Sequence, residues 1–430
     1  MRRWNYGLGL ITTALLACGT DATTVQVLPD CATCTAGAPR GGIFVDTADL
    51  RPDVLTVSSA TLAPIARDAE AARFLARVDG ELGVAELPPF ELPGTDFWIA
   101  DAIPDTDGGW YLLGNADLAA GSAVTYLFAF DRNGVERWHH DFGEAFPHLA
   151  LFADGTGVIV RRLEQTYQLL AFTADGTLRF ERRLEAPFHD IRVLDSGEIV
   201  VIGAFSATFD AGGGLPLIET EANNAIFILG LGPDGATRWV RLVEPGRATD
   251  FLGHTAAAIS GDGRVFLAGN ANGFAIAIGD DTLPITAVGP DGLASFVLEI
   301  APDGRLAWGV TAGSHQPTFW SLAPLADGVV AAGSIDIGPG RGAPFNFAGT
   351  GYGETRSSDA VIMELGGGRV RWQHTIAGAA SQVAFRVAAA PSGALFAAVG
   401  SERRDDDTED ATIDDTALRG DGVLIVELGR

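Results

Sequence analysis

The 430-residue sequence contains no lysine, so all 29 of its basic residues are arginine. A chain without lysine cannot form a Schiff base, anchor pyridoxal phosphate or supply the lysine of a Walker-type phosphate loop. Its formal charge is −26, because 55 acidic residues outnumber the basic ones. Such a surface repels nucleic-acid phosphates, which argues against a nucleic-acid partner.

Long apolar runs are also missing, apart from one at the N-terminus. Residues 6–17 are mostly apolar and follow Arg2 and Arg3, but they are too few to span a bilayer. The sequence indicates a signal peptide over residues 1–17. No other stretch is long and apolar enough to cross a membrane.

The end of this run, Leu15-Leu16-Ala17-Cys18, resembles the lipobox of bacterial lipoproteins. The resemblance implies that Cys18 becomes the acylated first residue of the mature protein, carrying palmitate-type chains that hold it to a membrane. Gly19 follows where a retention signal would have Asp, so we expect the cell outer membrane, with the domain facing the periplasm or the cell surface. An ordinary cleaved signal peptide is the alternative.

Only two further cysteines occur, Cys31 and Cys34, in a Thr- and Ala-rich segment. In an oxidising compartment their spacing favours a small-loop disulfide. A redox or metal CxxC is the alternative, but there is no second CxxC, and Thr35 stands where haem attachment would need His. We expect residues 18–42 to be a flexible tether.

Residues 43–430 repeat a hairpin: an apolar strand, a turn with Gly, and a strand carrying an aromatic residue. The recurrence at about 40–70 residues indicates stacked supersecondary units. We expect the aromatic to be structural and to wedge between neighbouring units. The five aromatics are Trp138, Phe180, Trp239, Trp308 and Trp372.

A second apolar hairpin precedes most of these, as in 191–203, 256–269, 321–333 and 387–400. Each period therefore encodes four short strands. Four-stranded units repeated around an axis predict an all-β fold, a β-propeller of seven blades, with six or eight as alternatives. The last copy, 422–430, lacks its outer strand, and we expect residues 42–46 to supply it and close the ring.

The Asp-Gly-x-x-x-Trp hairpins resemble those of quinoprotein propellers, and the intervening Val-x-x-x-Gly strands are similar to the SBBP-type repeats of secreted and lipid-anchored bacterial proteins. The resemblance covers roughly residues 43–430. It implies the fold and no site, because nothing in the sequence matches a set of quinone- or calcium-binding residues.

Three histidines, His148, His189 and His254, fall near the start of the innermost strand in three successive units. They could converge at the channel mouth as a zinc- or iron-type site. Trp98, Trp320 (or Phe319) and Phe385 occupy similar places in other units, and this mixture favours side chains that fill the channel. The metal site is the alternative.

Other signals for chemistry are weak. The acidic run 405–415 could collect Ca²⁺, but it lacks the spacing of a shaped calcium loop and favours a solvated loop. No G-x-S-x-G, H-E-x-x-H or Walker motif occurs, but propeller sites are assembled from several loops, so this absence leaves catalysis open. We favour a binding protein over an enzyme and expect no cofactor, with Ca²⁺ or a transition metal as the alternative.

The insertions 204–225, 270–295 and 334–359 are Gly-rich and fall between strands two and three of their units. Loops so placed lie on one rim, where they could present a shared surface. We therefore expect a lipid-anchored cell-envelope propeller that serves as a binding or scaffolding module for a protein or glycan partner. A metal-binding or enzymatic propeller using the axial histidines is the second hypothesis.

Overall fold

A computed structural model of the chain describes its residues in separate ranges. These are 24–28, 39–46, 52–58, 61–66, 74–79, 84–86, 96–104, 109–117, 123–131, 135–142, 146–151, 156–163, 166–222, 224–247, 250, 252–285, 293–312, 317–336, 345–347, 350–352, 358–376, 381–389, 395–402, 411–413, 416–418 and 422–428.

The described residues form β-strands and turns and contain no helix, so none of them belongs to a helix that could cross a bilayer. The strands pair antiparallel, and seven sheets in this part of the chain have four strands or more. The predicted all-β fold built from recurring hairpins is therefore confirmed.

Two N-terminal strands and three four-stranded sheets come first in the chain. The N-terminal strands are β1 (Thr24–Leu28) and β2 (Pro39–Asp46). Sheet 1 contains β3 (Pro52–Ser58), β4 (Thr61–Ala66), β5 (Phe74–Asp79) and β6 (Val84–Glu86). Sheet 2 contains β7 (Asp96–Pro104), β8 (Trp110–Asp117), β9 (Ala123–Phe130) and β10 (Glu136–Asp141). Sheet 3 contains β11 (Phe146–Leu151), β12 (Gly157–Leu163), β13 (Thr166–Phe172) and β14 (Leu178–Leu184).

The next sheets carry a small extra hairpin between their second and third strands. Sheet 4 contains β15 (Phe188–Val193) and β16 (Ile199–Phe205), then the inserted hairpin β17 (Thr208–Phe209) and β18 (Ile218–Glu219), then β19 (Ala225–Leu231) and β20 (Thr237–Pro245). Sheet 5 contains β21 (Leu252–Ile259), β22 (Val265–Ala271), β25 (Ala294–Ile300) and β26 (Leu306–Thr311). The hairpin inserted between β22 and β25, β23 (Ala275–Ile278) and β24 (Asp281–Pro284), extends sheet 4 beyond β20.

The last two sheets repeat this plan. Sheet 6 contains β27 (Thr318–Leu325) and β28 (Gly328–Asp336), the inserted hairpin β29 (Phe345–Phe347) and β30 (Thr350–Tyr352), then β31 (Ser358–Gly366) and β32 (Arg369–Ile376). Sheet 7 contains β33 (Ser381–Ala389) and β34 (Leu395–Glu402), the inserted hairpin β35 (Ala411–Ile413) and β36 (Thr416–Leu418), and then β37 (Gly422–Leu428), followed across the sheet by β2 and β1.

The first strands of the seven sheets contact one another in chain order. β3 contacts β7, β7 contacts β11, and the series continues through β15, β21, β27 and β33. β33 also contacts β3, so the contacts form a complete cycle. Each first strand therefore lies beside the first strands of two other sheets.

The outer strand of sheet 7 comes from the beginning of the chain. β2 pairs antiparallel with β37, so that Ile43 lies opposite Ile425 and Val45 lies opposite Val423. This is the pairing expected for residues 42–46. β2 begins at Pro39 and β1 pairs with its far side, so all of β1 and the first residues of β2 lie within residues 18–42, the segment predicted to be a tether.

The core consists of hydrophobic clusters between consecutive sheets. Every residue of β16, β19 and β25 is buried, as expected for strands that are covered on both faces. One cluster joins sheets 2 and 3, and further clusters join 3 with 4, 4 with 5, 5 with 6, and 6 with 7. Burial of these side chains attaches each sheet to the next.

The inserted hairpins reach back to the outer strand of the preceding sheet. β23 pairs with β20 of sheet 4, and Phe347 of the sheet 6 insertion bridges to Ala312 beyond β26. β35 contacts β32, and the carbonyl of Ala211 in the sheet 4 insertion accepts a hydrogen bond from Arg182 on β14. The insertions lie between strands two and three as expected, and they also brace adjacent sheets.

Candidate functional site

The predicted lipidation and disulfide residues, Cys18, Cys31 and Cys34, lie outside the described residues, as does the signal peptide over 1–17. Acylation, the disulfide and the anchor remain predictions from the sequence.

The five repeat aromatics lie on the fourth strands of sheets 2–6. Each packs against the cluster between its own sheet and the next one. The ring of Trp138, for example, lies 6.1 Å from that of Phe172 in sheet 3, edge to face. Phe180 lies against the Gly235 turn of sheet 4. Each of the five therefore contributes to the packing between two consecutive sheets.

The indole N–H groups of these tryptophans have protein acceptors. Trp308 donates to Glu299 at 2.6 Å, and Trp372 donates to Glu364 at 2.8 Å. Both carboxylates are buried, at 8% and 7% exposure. Arg371 also donates to Glu364, at 3.0 Å. Buried charges need such partners, so these pairs belong to the scaffold.

A β-bulge interrupts the first strand of every sheet at a similar level. Each bulge inserts a residue that has no partner on the second strand. Glycines lie beside several of these bulges: a Cβ at Gly203 would lie 2.2 Å from the carbonyl oxygen of Pro187, and one at Gly333 would lie 2.1 Å from that of Thr318. The inserted residues are Asp53, Ala100, His148 (with Pro147), His189, Thr255, Trp320 and Phe385.

The three predicted histidines lie in the first strands of sheets 3, 4 and 5. His148 and His189 both occupy the inserted position of the bulge. His254 lies one residue earlier and pairs with the second strand, as Phe188 does in sheet 4. The side chains of His148 and His254 lie outside the described set, so the structure does not test their convergence.

His189 is half-buried, and burial lowers the pKa of its imidazole below the usual value. The side chain is therefore neutral at pH 7. No group of three metal-ligating side chains occurs among the side chains that the structure describes, and those of His148 and His254 are not in that set. The metal site remains a prediction.

An open cleft of about 470 Å³ lies at the other end of the first strands, where β15, β21, β27 and β33 end. Sheets 4 and 5 supply its polar wall, and sheets 6 and 7 supply its apolar wall. The polar wall contains Arg192, Asp195, Ser260, Asp262 and Arg264, and the apolar wall contains Leu322, Pro324, Leu325 and Val387.

The centre of the polar wall is fixed by hydrogen bonds. Arg264 donates to both carboxylate oxygens of Asp262, at 3.0 and 3.1 Å, and to the Leu325 carbonyl at 2.8 Å. Ser260 also donates to Asp262. Burial acts to raise the pKa of Asp262, but these hydrogen bonds outweigh it and lower the pKa overall.

The edge of the polar wall has side chains available for a ligand. Arg192 and Asp195 are exposed, and neither side chain has a hydrogen bond or ion pair to another described residue. One cation and one anion therefore face the cleft beside a rigid centre. This arrangement can bind a ligand that has both polar groups and an apolar edge.

The cleft was missed by sequence reasoning. Its residues come from the ends of the first strands of four separate sheets and from the turns that follow them. In the sequence, each of these segments is an ordinary β-hairpin. The one local signal is Ser260-Gly-Asp-Gly-Arg264, a turn in which the Ser hydroxyl and the Arg guanidinium both donate to the central Asp.

No protein-family model matches the chain, and no curated protein sequence matches it. Similar solved structures are β-propeller proteins. The β-propeller domain of the Trilobed protease from Pyrococcus furiosus has a TM-score of 0.36 at 7% identity and covers 74% of this chain and 97% of its own. YCF48 bound to D1 peptide has a TM-score of 0.34 at 13% identity, with 66% and 94% covered. A glucose dehydrogenase has a TM-score of 0.33 at 11% identity, with 94% and 99% covered.

These neighbours belong to the fold class that the repeated four-stranded sheets also indicate. At these identities and TM-scores, the similarity carries no conclusion about the ligand, activity or cofactor of this chain.

Proposed function

We propose that the chain is a closed, seven-bladed β-propeller whose N-terminal strand completes the last blade. The cycle of contacts among β3, β7, β11, β15, β21, β27 and β33 supports this architecture. The pairing of β2 with β37 supports closure, because it covers an edge that would otherwise be open. A circle of sheets held by buried clusters is rigid and presents its loops at fixed positions.

This propeller works as a lipid-anchored binding or scaffolding module of the cell envelope, with a protein or glycan partner. The observation that carries the binding role is the cleft at the centre of one face, where Arg192 and Asp195 lie next to an apolar wall. The resemblance of residues 15–18 to a lipobox supports the anchor. The negative charge of the chain favours neutral or basic partners over anionic ones.

The anchor is tested by fractionating cells that express the native chain or Cys18→Ala. We expect the native protein in the outer-membrane fraction and the variant in the soluble envelope fraction. Membrane retention of the variant would contradict the anchor.

The cleft is tested by placing a benzoylphenylalanine photo-crosslinker at Ala326, an exposed residue of the cleft. The matched control is the same crosslinker at Leu178, which is 54% exposed on the outer strand β14. In living cells we expect a discrete adduct at Ala326 and none at Leu178. The same adducts at both positions, or none at Ala326, would contradict a partner in the cleft.

A further inference from the structure

The N-terminal strand β1 enters sheet 7 at the edge that carries the inserted hairpin. In sheet 7 this edge is where β34 ends and β37 begins, because the hairpin lies between them in the chain. The residues at this level across the sheet are Ser401, Gly422, Asp46 and Thr24, which are partners in consecutive strand pairs. Thr24 is the first residue of β1, so the chain reaches the sheet at this edge, which we call the insertion rim.

The cleft lies at the opposite edge of the sheets. Its walls are the ends of the first strands of sheets 4–7 and the turns that follow them, so these four strands run in the same direction. The second strands run back to the insertions, and sheets 4–7 therefore share the insertion rim. In sheet 7, Ala389 lines the cleft and pairs with Leu395, whose partner on β37 is Leu428. β1 therefore runs from the insertion rim towards the level of the cleft.

The expected lipid anchor is close to the insertion rim along the chain. Cys18 precedes Thr24 by six residues, and six residues span at most about 20 Å when they are fully extended. The strands of sheet 7 have seven to nine residues, which places the cleft about 25 Å beyond the insertion rim. An anchor at Cys18 therefore keeps the insertion rim near the bilayer and leaves the cleft on the more distant face.

The insertion rim carries an exposed aromatic residue with an arginine stacked on it. Phe274 is 66% exposed and follows β22 of sheet 5, at the start of the insertion. The guanidinium of Arg247 lies 4.4 Å from the centre of the Phe274 ring. Arg247 is exposed, and its guanidinium has no hydrogen bond or ion pair to another residue that the structure describes.

Backbone hydrogen bonds fix the position of this pair. The N–H of Gly246 donates to the carbonyl of Ala275, and the N–H of Ile285 donates to the carbonyl of Phe274, both at 2.8 Å. The Phe274 ring therefore projects from a hairpin whose backbone is held on both sides. Single exposed apolar side chains are common on proteins, so the significant feature is that Phe274 lies on the rim nearest the anchor.

An aromatic ring beside a guanidinium suits the chemistry of a membrane surface. The ring offers apolar area to the boundary of the acyl chains, and the guanidinium can donate to the lipid phosphates just above that boundary. Arginine places its charged end among polar groups while its methylene groups stay beside apolar ones. The stacking of Arg247 on Phe274 brings both contacts to one point of the insertion rim.

We propose that the insertion rim rests on the membrane that holds the lipid anchor, with Phe274 at the lipid interface, Arg247 among the phosphates, and the cleft turned away from the bilayer. This orientation rests on the proposed anchor and closed ring, and it leaves the cleft open to a partner. The charge of −26 includes the acidic run 405–415 of the sheet 7 insertion, and it favours zwitterionic over anionic lipid.

The experiment is photo-crosslinking to lipid. The mature acylated protein, purified from membranes and reconstituted into phosphatidylcholine vesicles, carries benzoylphenylalanine in place of Phe274. The matched controls carry it in place of Ala326 in the cleft or Leu178 on β14, both of which are exposed. After illumination, mass spectrometry should detect lipid adducts at position 274 and none above background at the other two positions. Replacing part of the phosphatidylcholine with phosphatidylglycerol should lower the yield at position 274.

A second crosslinker position tests the contribution of Phe274 itself. Glu221 is exposed and lies shortly before β19, at the insertion rim of sheet 4. A crosslinker in its place should also form lipid adducts. Phe274→Ala should reduce these adducts because the rim loses an apolar contact, and Phe274→Trp should preserve them. Leu178→Ala removes an exposed apolar side chain elsewhere and should have no effect, and thermal unfolding checks that each variant folds.

Vesicle flotation separates a failure of the anchor from a failure of the orientation. The native chain should float with the vesicles and Cys18→Ala should not; a native chain that does not float would contradict the anchor and the orientation together. If the native chain floats, equal adducts at positions 326 and 274, or none at 274, would overturn the orientation and leave the anchor intact. Unchanged adducts at position 221 in Phe274→Ala would contradict the lipid contact of Phe274, and a higher yield with phosphatidylglycerol would contradict the preference for zwitterionic lipid.

Discussion

At the residue scale, the repeat motifs predict turns and packing positions well and predict individual partners poorly. The Asp-Gly turns form as the pattern indicates: Gly176, Gly235 and Gly304 all have positive φ, which glycine adopts without strain. The hydrogen-bond acceptors of the tryptophan indole groups were not predictable. The sequence around Glu299, which accepts from Trp308, does not distinguish it from a glutamate on the exposed face of a strand. Contacts between strands of one sheet make it a buried partner.

Gly333 illustrates a glycine required by close approach. Its Cβ would lie 2.1 Å from the carbonyl oxygen of Thr318, so Gly333→Ala must push the first strand of sheet 6 away. We expect a loss of about 2–3 kcal/mol in the free energy of unfolding, measured by urea denaturation. Gly197→Ala is the control, because no atom lies within 4 Å of its Cβ and only its φ of +79° opposes the change; it should cost about 1 kcal/mol. Equal losses would contradict the close approach.

The Asp262 carboxylate predicts a pH dependence. Its pKa is lowered in the folded protein, so it stabilises the fold above its unfolded pKa of about 3.9, and this contribution is lost as the pH falls through the folded value. Asp262→Asn should therefore lower the thermal midpoint at pH 7 and match the native protein at the acid end of the titration. The control is Asp195→Asn, which removes a carboxylate of the same cleft that has no hydrogen-bond partner among the described residues. We expect this variant to have the thermal midpoint of the native protein at pH 7 and at the acid end of the titration. If the thermal midpoints of Asp262→Asn and the native protein differed by the same amount at every pH, the hydrogen-bonding account would be contradicted.

At the element scale, the alternation of apolar runs and Gly-containing turns in the sequence predicted the hairpins. It did not predict that the inserted hairpins would contact the preceding sheets. The sequence places residues 204–225 and 270–295 between strands, but it contains no signal for their contact partner. β23 pairs with the preceding sheet because the outer strand β20 has a free edge there. Edge pairing depends on three-dimensional proximity, which a single sequence does not encode locally.

Arg182 offers a test of this bracing. From β14 its guanidinium donates to the carbonyls of Ala211 and Gly235 and to the hydroxyl of Thr237, all in sheet 4 or its insertion. Arg182→Met should destabilise the protein by about 1–3 kcal/mol and speed proteolysis within residues 206–217. The control is Arg183→Met, which changes an exposed neighbour on the same strand. This variant should change neither the stability nor the rate of proteolysis within residues 206–217. Equal proteolysis of the two variants would show that Arg182 does not secure the insertion.

At the scale of the whole molecule, the repeat count and the incomplete last unit predicted a circular arrangement with a shared final sheet. The cycle of first-strand contacts and the β2–β37 pairing support that arrangement. The extra strand β1 and the start of β2 at Pro39 were not predicted, since residues 24–28 lie in a segment whose composition is that of a linker.

Amide hydrogen exchange of β37, compared between two truncated chains, tests ring closure most directly. Removing residues 1–38 deletes β1 and keeps β2, so the amides of 422–428 should exchange as slowly as in the native protein. Removing residues 1–46 deletes β2 as well and turns β37 into an edge strand, so the amides that donate to β2 should lose protection by about ten-fold or more. Unchanged protection of β37 in the shorter chain would contradict a ring closed by its N-terminal strand.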